Sequence, residues 1–147
     1  MQNLSIIILT KNEEKNIEAA VLNAKQCTDK VIVVDSGSTD QTVILAERAG
    51  AEVLFRAWNN DFAAQRNFVL DKIETEWLLY LDADERLNPQ LIESIKVVAA
   101  SGENNKQYTI KRYSHAFGQQ FRHGVLRPDR VARLFPRKQV LWEGRVH

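Results

Sequence analysis

The chain of 147 residues contains a single cysteine, Cys27, three prolines and six glycines. One thiol excludes an intrachain disulfide and a cysteine-built zinc site, and it fits a reducing compartment. Long apolar runs are missing as well. The stretch Leu4 to Leu9 is too short for a signal peptide or a membrane helix, and Met1-Gln2-Asn3 carries no basic residue. The expectation is therefore a soluble, cytoplasmic protein. No GxxxxGK or GxGxxG pattern occurs, which argues against a P-loop NTPase and a dinucleotide dehydrogenase. No GxSxG hydrolase elbow is present either. What remains is an ordinary globular composition, 44% hydrophobic and 27% charged, in a chain of one-domain size that can bury a core without staples.

An excess of either charge is also lacking, since 20 basic and 19 acidic residues leave a net +1. The balance hides a split. Residues 1–105 hold 10 basic and 17 acidic side chains, net −7, and residues 106–147 hold 10 and 2, net +8. A basic C-terminal third suits a phosphorylated ligand or an anionic membrane surface, or is simply a strand-rich segment with solvated arginines. No nucleic-acid module is recognisable, so no nucleic-acid partner is expected.

Apolar patterning predicts alternating strands and helices. Leu4 to Leu9, Val31 to Val34 and Trp77 to Leu81 read as strands buried on both faces. Residues 13–26 read as a helix with Ile17, Ala20, Val21 and Ala24 on one side, and Thr42, Leu45, Ala46 and Ala49 mark a second helix ending at Gly50. The turn from Ser36 to Asp40 is expected to cap that second helix. A short strand is expected from Glu52 to Phe55 and a less regular helix over residues 61–73. Asn88-Pro89 starts another helix, Asn as cap and Pro at its first position, with Leu91, Ile92, Ile95, Val98 and Ala99 as its apolar face. This order predicts βαβ units and a mostly parallel, twisted sheet flanked by helices. After residue 106 the pattern changes. Tyr108, Ile110 and Arg112 alternate, as do Phe117, Gln119 and Phe121, and Leu134-Phe135 closes a short strand. Antiparallel strands are expected there.

Ligands of open parallel sheets bind at the carboxyl ends of the strands. Those ends are acidic here: Thr10-Lys11-Asn12-Glu13-Glu14, Asp35-Ser36-Gly37-Ser38 and Asp82-Ala83-Asp84-Glu85. Singly, Asp35 and Asp82 read as turn residues, and Asn12 and Asp40 as helix caps. Together they point to a site, because clustered carboxylates repel unless a cation or hydrogen-bond donors compensate. Asp82 and Asp84 just past a strand suit one hard divalent cation, Mg²⁺ or Mn²⁺, which also takes phosphate oxygens.

These residues resemble the family 2 glycosyltransferases of the GT-A fold. The likeness rests on the segment from Ser5 through Glu14, the segment from Val33 through Thr42, Asp61-Phe62-Ala63-Ala64-Gln65-Arg66-Asn67 and Leu81-Asp82-Ala83-Asp84-Glu85. The third of these, with Trp142-Glu143-Gly144-Arg145-Val146-His147, is most similar to a bacterial branch of lipopolysaccharide inner-core glucosyltransferases. The resemblance implies that residues 1–147 form one donor-binding catalytic domain, with residues 1–105 as nucleotide-binding core and 106–147 as a basic acceptor-side segment. It implies that Thr10, Asn12 and Glu13 line the nucleotide pocket, that Asp35 bonds uracil or ribose, and that Ser36 and Ser38 shape the turn beneath. Arg66 would lie near the diphosphate. Asp82 would contact ribose or the metal's water shell, and Asp84 would ligate the metal that bridges the UDP diphosphate. Inverting transfer of a sugar, glucose by the branch, from a UDP-sugar to a surface glycan or lipopolysaccharide core follows from the same likeness.

The family is expected to run on past this length, with its catalytic base just after Val146-His147. Glu143 is the nearby carboxylate and the candidate base. Its alternative is a surface or strand-end residue. Arg66 could instead form a surface ion pair, Glu13 could be an ordinary first-turn residue, His115 and His123 read as partly exposed strand residues, and His147 reads as a phosphate or metal contact or as a frayed terminal residue. A nucleotide-sugar-binding fragment without transfer activity is the competing function. A nucleotidyltransferase ranks below both, because its glycine-rich N-terminal loop is absent. Contact of the basic third with the inner face of the plasma membrane is a further expectation.

Overall fold

The computed structural model describes residues 3–57 and 68–101, with three short strands beyond them. Strand β1 (Leu4–Thr10) pairs in parallel with β2 (Lys30–Asp35) on one side. On its other side it pairs in parallel with β4 (Trp77–Asp82). Strand β3 (Glu52–Phe55) extends the sheet beyond β2. Strand β7 (Leu134–Pro136) closes the other edge, antiparallel to β4, giving the order β3-β2-β1-β4-β7. A separate antiparallel pair joins β5 (Thr109–Ile110) to β6 (Leu126–Arg127). The chain is thus α/β with a parallel four-stranded core, and its later strands pair antiparallel, as expected. The alternation expected at Phe117, Gln119 and Phe121 lies outside the described residues.

Continuous apolar runs form these strands because both faces of the sheet are covered. Ile6, Ile8, Val31, Val33, Trp77 and Leu79 pack with one layer, built from Ile17, Ala20, Val21 and Ala24 of helix α1 (Ile17–Lys25) and Leu91, Ile92, Ile95 and Ala99 of helix α3 (Pro89–Ala100). Ile7, Ile32, Val34, Leu78 and Tyr80 pack on the other face with Val69, Leu70 and Ile73. Leu134 of β7 is fully buried in the first layer. At about 1.5–3 kcal/mol for each fully buried large apolar side chain, these two layers supply the main stabilisation.

Helix α1 begins four residues later than periodicity alone suggests. Asn12 sits in the left-handed region, φ +54°. The Glu13 carbonyl then accepts from the amides of Asn16 (2.9 Å) and Ile17 (2.8 Å), so residues 13–16 form a turn before the helix. Helix α2 (Thr42–Arg48) ends through the amides of Gly50 and Ala51, which return to the carbonyls of Glu47 (3.0 Å) and Ala46 (3.1 Å). That closure puts Gly50 at φ +102°, where a side chain would be strained. Helix α3 starts as expected: Pro89 opens it, and the Asn88 side chain accepts from the Leu91 amide at 2.8 Å. Of the helix expected over residues 61–73, residues 61–67 lie outside the described residues, 68–70 are helical, and the helix has ended by residues 71–73. Among the described residues no helix is long and apolar enough to cross a membrane.

Cys27 follows α1 and is buried, 4% exposed. Burial pushes its thiol up to about 11, with Lys96 opposing and Glu93 adding to the shift. The folded-state value lies above the ordinary thiol value, so this contribution to stability is present below the ordinary value and is lost as pH rises through about 11. At pH 8 the native protein is expected to resist a thiol reagent and to react once denatured, as measured by the release of a chromogenic thiolate. Rapid labelling of the native chain would contradict the buried position.

Candidate functional site

The first connection leaves β1 toward β2, whereas β4 lies on the opposite side of β1. The strand order therefore reverses between β1 and β4, and their carboxyl ends form the switch point at which open α/β sheets build their ligand crevice. Thr10 closes β1 directly beside Asp35 of β2, and Leu9 pairs with Asp82 at the end of β4. The loops that follow these strands carry the acidic residues expected from the sequence.

Asp35 is 3% exposed and builds its own turn. Its Oδ2 accepts from the amides of Gly37 (3.0 Å) and Ser38 (2.8 Å), and its Oδ1 accepts from the Ser38 hydroxyl. Gly37, at φ +118°, makes that tight reversal accessible. The turn is then stitched to the loop after β1. The Asn12 amide donates to Ser38 Oγ (2.7 Å), and the Asn12 side chain accepts from the Thr39 amide (2.8 Å). The Glu13 amide donates to Thr42 Oγ1 (2.9 Å), and Glu14 Oε1 accepts from the Gln41 amide (3.1 Å). Asp40 Oδ1 accepts from the Thr42 amide (3.0 Å) and the Thr42 hydroxyl, so α2 is capped by Asp40 while Gln41 occupies the N-cap position itself. The Thr42 hydroxyl, aided by the amides of Thr42 and Glu14, holds the Asp40 carboxyl below the usual carboxylate range against a smaller desolvation effect. Asn12 is not a helix cap; it ties two loops together.

The loop after β4 is braced in the same way. Asp82 and Asp84 are exposed and flank buried Ala83. Glu85 is buried, and its Oε1 accepts from the Asp82 amide at 2.8 Å. Arg86 donates through Nη1 to the carbonyls of Ala83 (2.7 Å) and Glu85 (2.8 Å), and through Nη2 to the carbonyl of Asn16 (3.1 Å). Burial lowers its pKa, while the carboxylates of Asp84 and Glu13 pull it back up. Asn23 of α1 clamps Leu87 from both sides: its Nδ2 donates to the Leu87 carbonyl (2.9 Å) and its Oδ1 accepts from the Leu87 amide (2.7 Å).

Thr10, Asn12, Glu13, Asp35, Ser36, Asp82 and Asp84 thus gather at one edge of the sheet. Arg66, Glu143, His115, His123 and His147 lie outside the described residues. The sequence reading did not single out Arg86, Asn23 or Phe55. Arg86 could have been noticed as a cation directly after three carboxylates, and Asn23 as a polar residue beside the apolar stripe of α1. Phe55, 63% exposed, pairs with Asp35 in register, and its ring approaches Gly37. A cleft of about 470 Å³, lined by residues including Lys30, Glu52, Lys72 and Glu74, lies at the amino ends of the strands, the edge opposite these loops.

The donor set suits a hard cation. Asp82 and Asp84 offer oxygen atoms only, and among the described residues no cluster of three or more His, Cys, Asp or Glu side chains forms a complete cage. Two carboxylates with the remaining positions filled by phosphate and water is the usual arrangement for Mg²⁺. Thr10 adds a second sign of a ligand. It is 5% exposed, and among the described residues its Oγ1 has no hydrogen-bond partner. An unsatisfied hydroxyl buried beside a crevice is a group that a ligand could satisfy. Thr10→Val is expected to leave the fold intact and to stabilise it by about 1 kcal/mol, because the unpaired hydroxyl disappears. Thermal unfolding checks this, and a clear loss of stability would show that the hydroxyl is bonded within the protein.

Comparison with known proteins agrees with this geometry. The glycosyl transferase family 2 profile matches residues 5–144. A glycosyltransferase of Rickettsia bellii is 41% identical over 73% of this chain and 36% of its own length. The lipopolysaccharide core biosynthesis glycosyltransferase LpsC of Rhizobium meliloti is 29% identical over 91% of this chain and 51% of its own. The chain therefore spans between a third and a half of these relatives. Among solved structures, glucosyl-3-phosphoglycerate synthase from Mycobacterium tuberculosis, crystallised with Mn²⁺, UDP-glucose and phosphoglyceric acid, superposes with a TM-score of 0.59. It is 23% identical over 73% of this chain and 42% of its own, a likeness of fold. With its parallel sheet, its acidic strand ends and a profile match over nearly its whole length, the chain belongs to glycosyltransferase family 2.

Proposed function

We propose that the chain is the donor-binding part of an inverting glycosyltransferase that takes a UDP-sugar and serves a bacterial surface glycan or lipopolysaccharide core acceptor. The observation that carries this reading is the convergence of Asp35, Asp82 and Asp84 on the edge where the strand order reverses. Asp35 already accepts three hydrogen bonds of the roughly four a carboxylate can take, which leaves about one site for a donor on the base or ribose. The Thr10 hydroxyl, Asn12, Glu13 and Ser36 complete the nucleotide side, with Arg66 assigned to the diphosphate. Asp84 and Asp82 would hold Mg²⁺ or Mn²⁺. Bound there, the cation would supply Lewis-acid stabilisation of the charge on the departing diphosphate. The M. tuberculosis synthase, bound to Mn²⁺ and UDP-glucose, supports both the cation and the donor class.

Residues 1–105 are assigned as nucleotide-binding core and residues 106–147 as acceptor side, in a protein of the cytoplasmic compartment. An acceptor hydroxyl attacking the anomeric carbon opposite the diphosphate would invert an α-linked donor into a β-glycoside. Its proton must pass to a carboxylate, for which Glu143 is the candidate. The net +8 of residues 106–147 and the likeness to LpsC support a phosphorylated, membrane-associated acceptor. If so, reversing several of these arginines should abolish binding to anionic lipid vesicles at low salt; unchanged co-sedimentation would remove the membrane contact from the proposal.

A second reading, donor binding without transfer, has one observation in its favour. Among the described residues, the other carboxylates of this edge, Glu13, Glu14, Asp40 and Glu85, each accept hydrogen bonds from the loops themselves. None of them stands ready as a base. Release of UDP from UDP-glucose in the presence of an acceptor separates transfer from binding alone.

The donor site itself is tested by calorimetric titration of UDP with and without Mn²⁺. Wild type is expected to bind UDP in a Mn²⁺-dependent manner, and Asp84→Ala to lose at least about tenfold in that affinity. Equal binding by both proteins, or by neither, would overturn the assignment.

A further inference from the structure

Arg86 hydrogen-bonds both the turn after β4 and the turn after β1, and we propose that it is the positioning residue that couples the cation-binding loop to the nucleotide-binding loop. The inference rests on the donor-site reading above and extends it. Its geometry is specific. One guanidinium nitrogen holds the carbonyls on both sides of Asp84, those of Ala83 at 2.7 Å and Glu85 at 2.8 Å. The other reaches the Asn16 carbonyl, 70 residues away in sequence, at 3.1 Å. Asn16 Nδ2 in turn donates to Glu13 Oε1 (3.0 Å), and the Glu13 amide donates to Thr42 Oγ1. Hydrogen bonds, joined through the covalent frames of Asn16, Glu13 and Thr42, thus connect the Asp84 turn to Asp40.

The chemistry of the side chain fits this role. A guanidinium presents several donors in a rigid plane, so it can fix three carbonyls from two loops at once, which the single ammonium of lysine cannot reproduce in the same geometry. By spending its donors on carbonyls it sets the backbone on either side of Asp84 and leaves that carboxylate exposed at the crevice. A cation held at Asp84 and a nucleotide held at Asn12, Glu13 and Asp35 would then each find the other's loop in place. In energetic terms that is a coupling between two ligands, carried by a brace between their loops.

The test uses Arg86→Met and Arg86→Lys in the full chain, the lysine variant keeping the charge and much of the stem where methionine fails to fold. Without ligand, amide exchange in residues 82–87 is expected to rise about tenfold in both variants, while the amides of Gly37 and Ser38 keep wild-type protection. Wild-type exchange in residues 82–87 would overturn the brace, whatever the chain binds. In UDP titrations, both variants are expected to keep metal-free affinity within about threefold and to lose about tenfold of the enhancement that Mn²⁺ gives wild type. Full enhancement in Arg86→Lys would show that charge alone suffices and would overturn the positioning role. Absence of Mn²⁺-dependent UDP binding in wild type would instead overturn the donor-site reading, and the exchange result would still decide whether Arg86 holds the loop.

Discussion

Strands β1, β2 and β4 are buried on both faces, and this constraint governs where the chain can place its chemistry. A polar group inside such a strand must find a partner within the protein. Ser5 does so, its hydroxyl lying 2.7 Å from that of Thr75. Apart from Ser5 and the buried Tyr80 of β4, the polar side chains of these strands stand at their ends. At the carboxyl edge the loops can be polar, and the reversal of strand order opens a crevice there. Thr10 marks the border: it is the last residue of β1, still buried, and its hydroxyl finds no partner among the described residues.

The loops at that edge are short of regular structure yet rich in internal hydrogen bonds. Asp35, Asn12, Asp40 and Glu14 bind backbone amides of the two turns after β1 and β2. In the turn after β4, Glu85 accepts from the Asp82 amide, Arg86 donates to backbone carbonyls, and Asn23 bonds both the amide and the carbonyl of Leu87. Side chains here replace the backbone ladder that the strands have ended. Such loops are set before a ligand arrives, so less binding energy goes into ordering them. The acidic pair Asp82 and Asp84 is thereby presented from a stiff turn.

Much of this was legible in the sequence. The apolar runs and the 3.6-residue spacing gave the four parallel strands and three helices, because double-sided burial leaves a strong pattern. Glu52–Phe55 and the Asn88-Pro89 helix start were read to the residue. The acidic strand ends located the edge, and the family resemblance gave them roles. The start of α1 was misplaced, since it depends on a left-handed Asn12, whose conformation periodicity does not encode. Arg86 and Asn23 went unremarked for a similar reason. Each bonds a backbone group 64 or 70 residues away, and such a partner becomes visible only once the strands are in register.

That separation has a consequence for how the protein acquires its site. The first strand and the α1 turn are made early in the chain, but the residues that complete the crevice arrive with β4, after the β1–β2–β3 units. Closing a loop of some seventy residues carries an entropic cost that local contacts do not offset, so contacts of this kind slow folding. A chain that has paired only its first three strands lacks the loop after β4 and with it one wall of the crevice. A nucleotide would act on the finished sheet alone, pulling the folding equilibrium toward it by mass action.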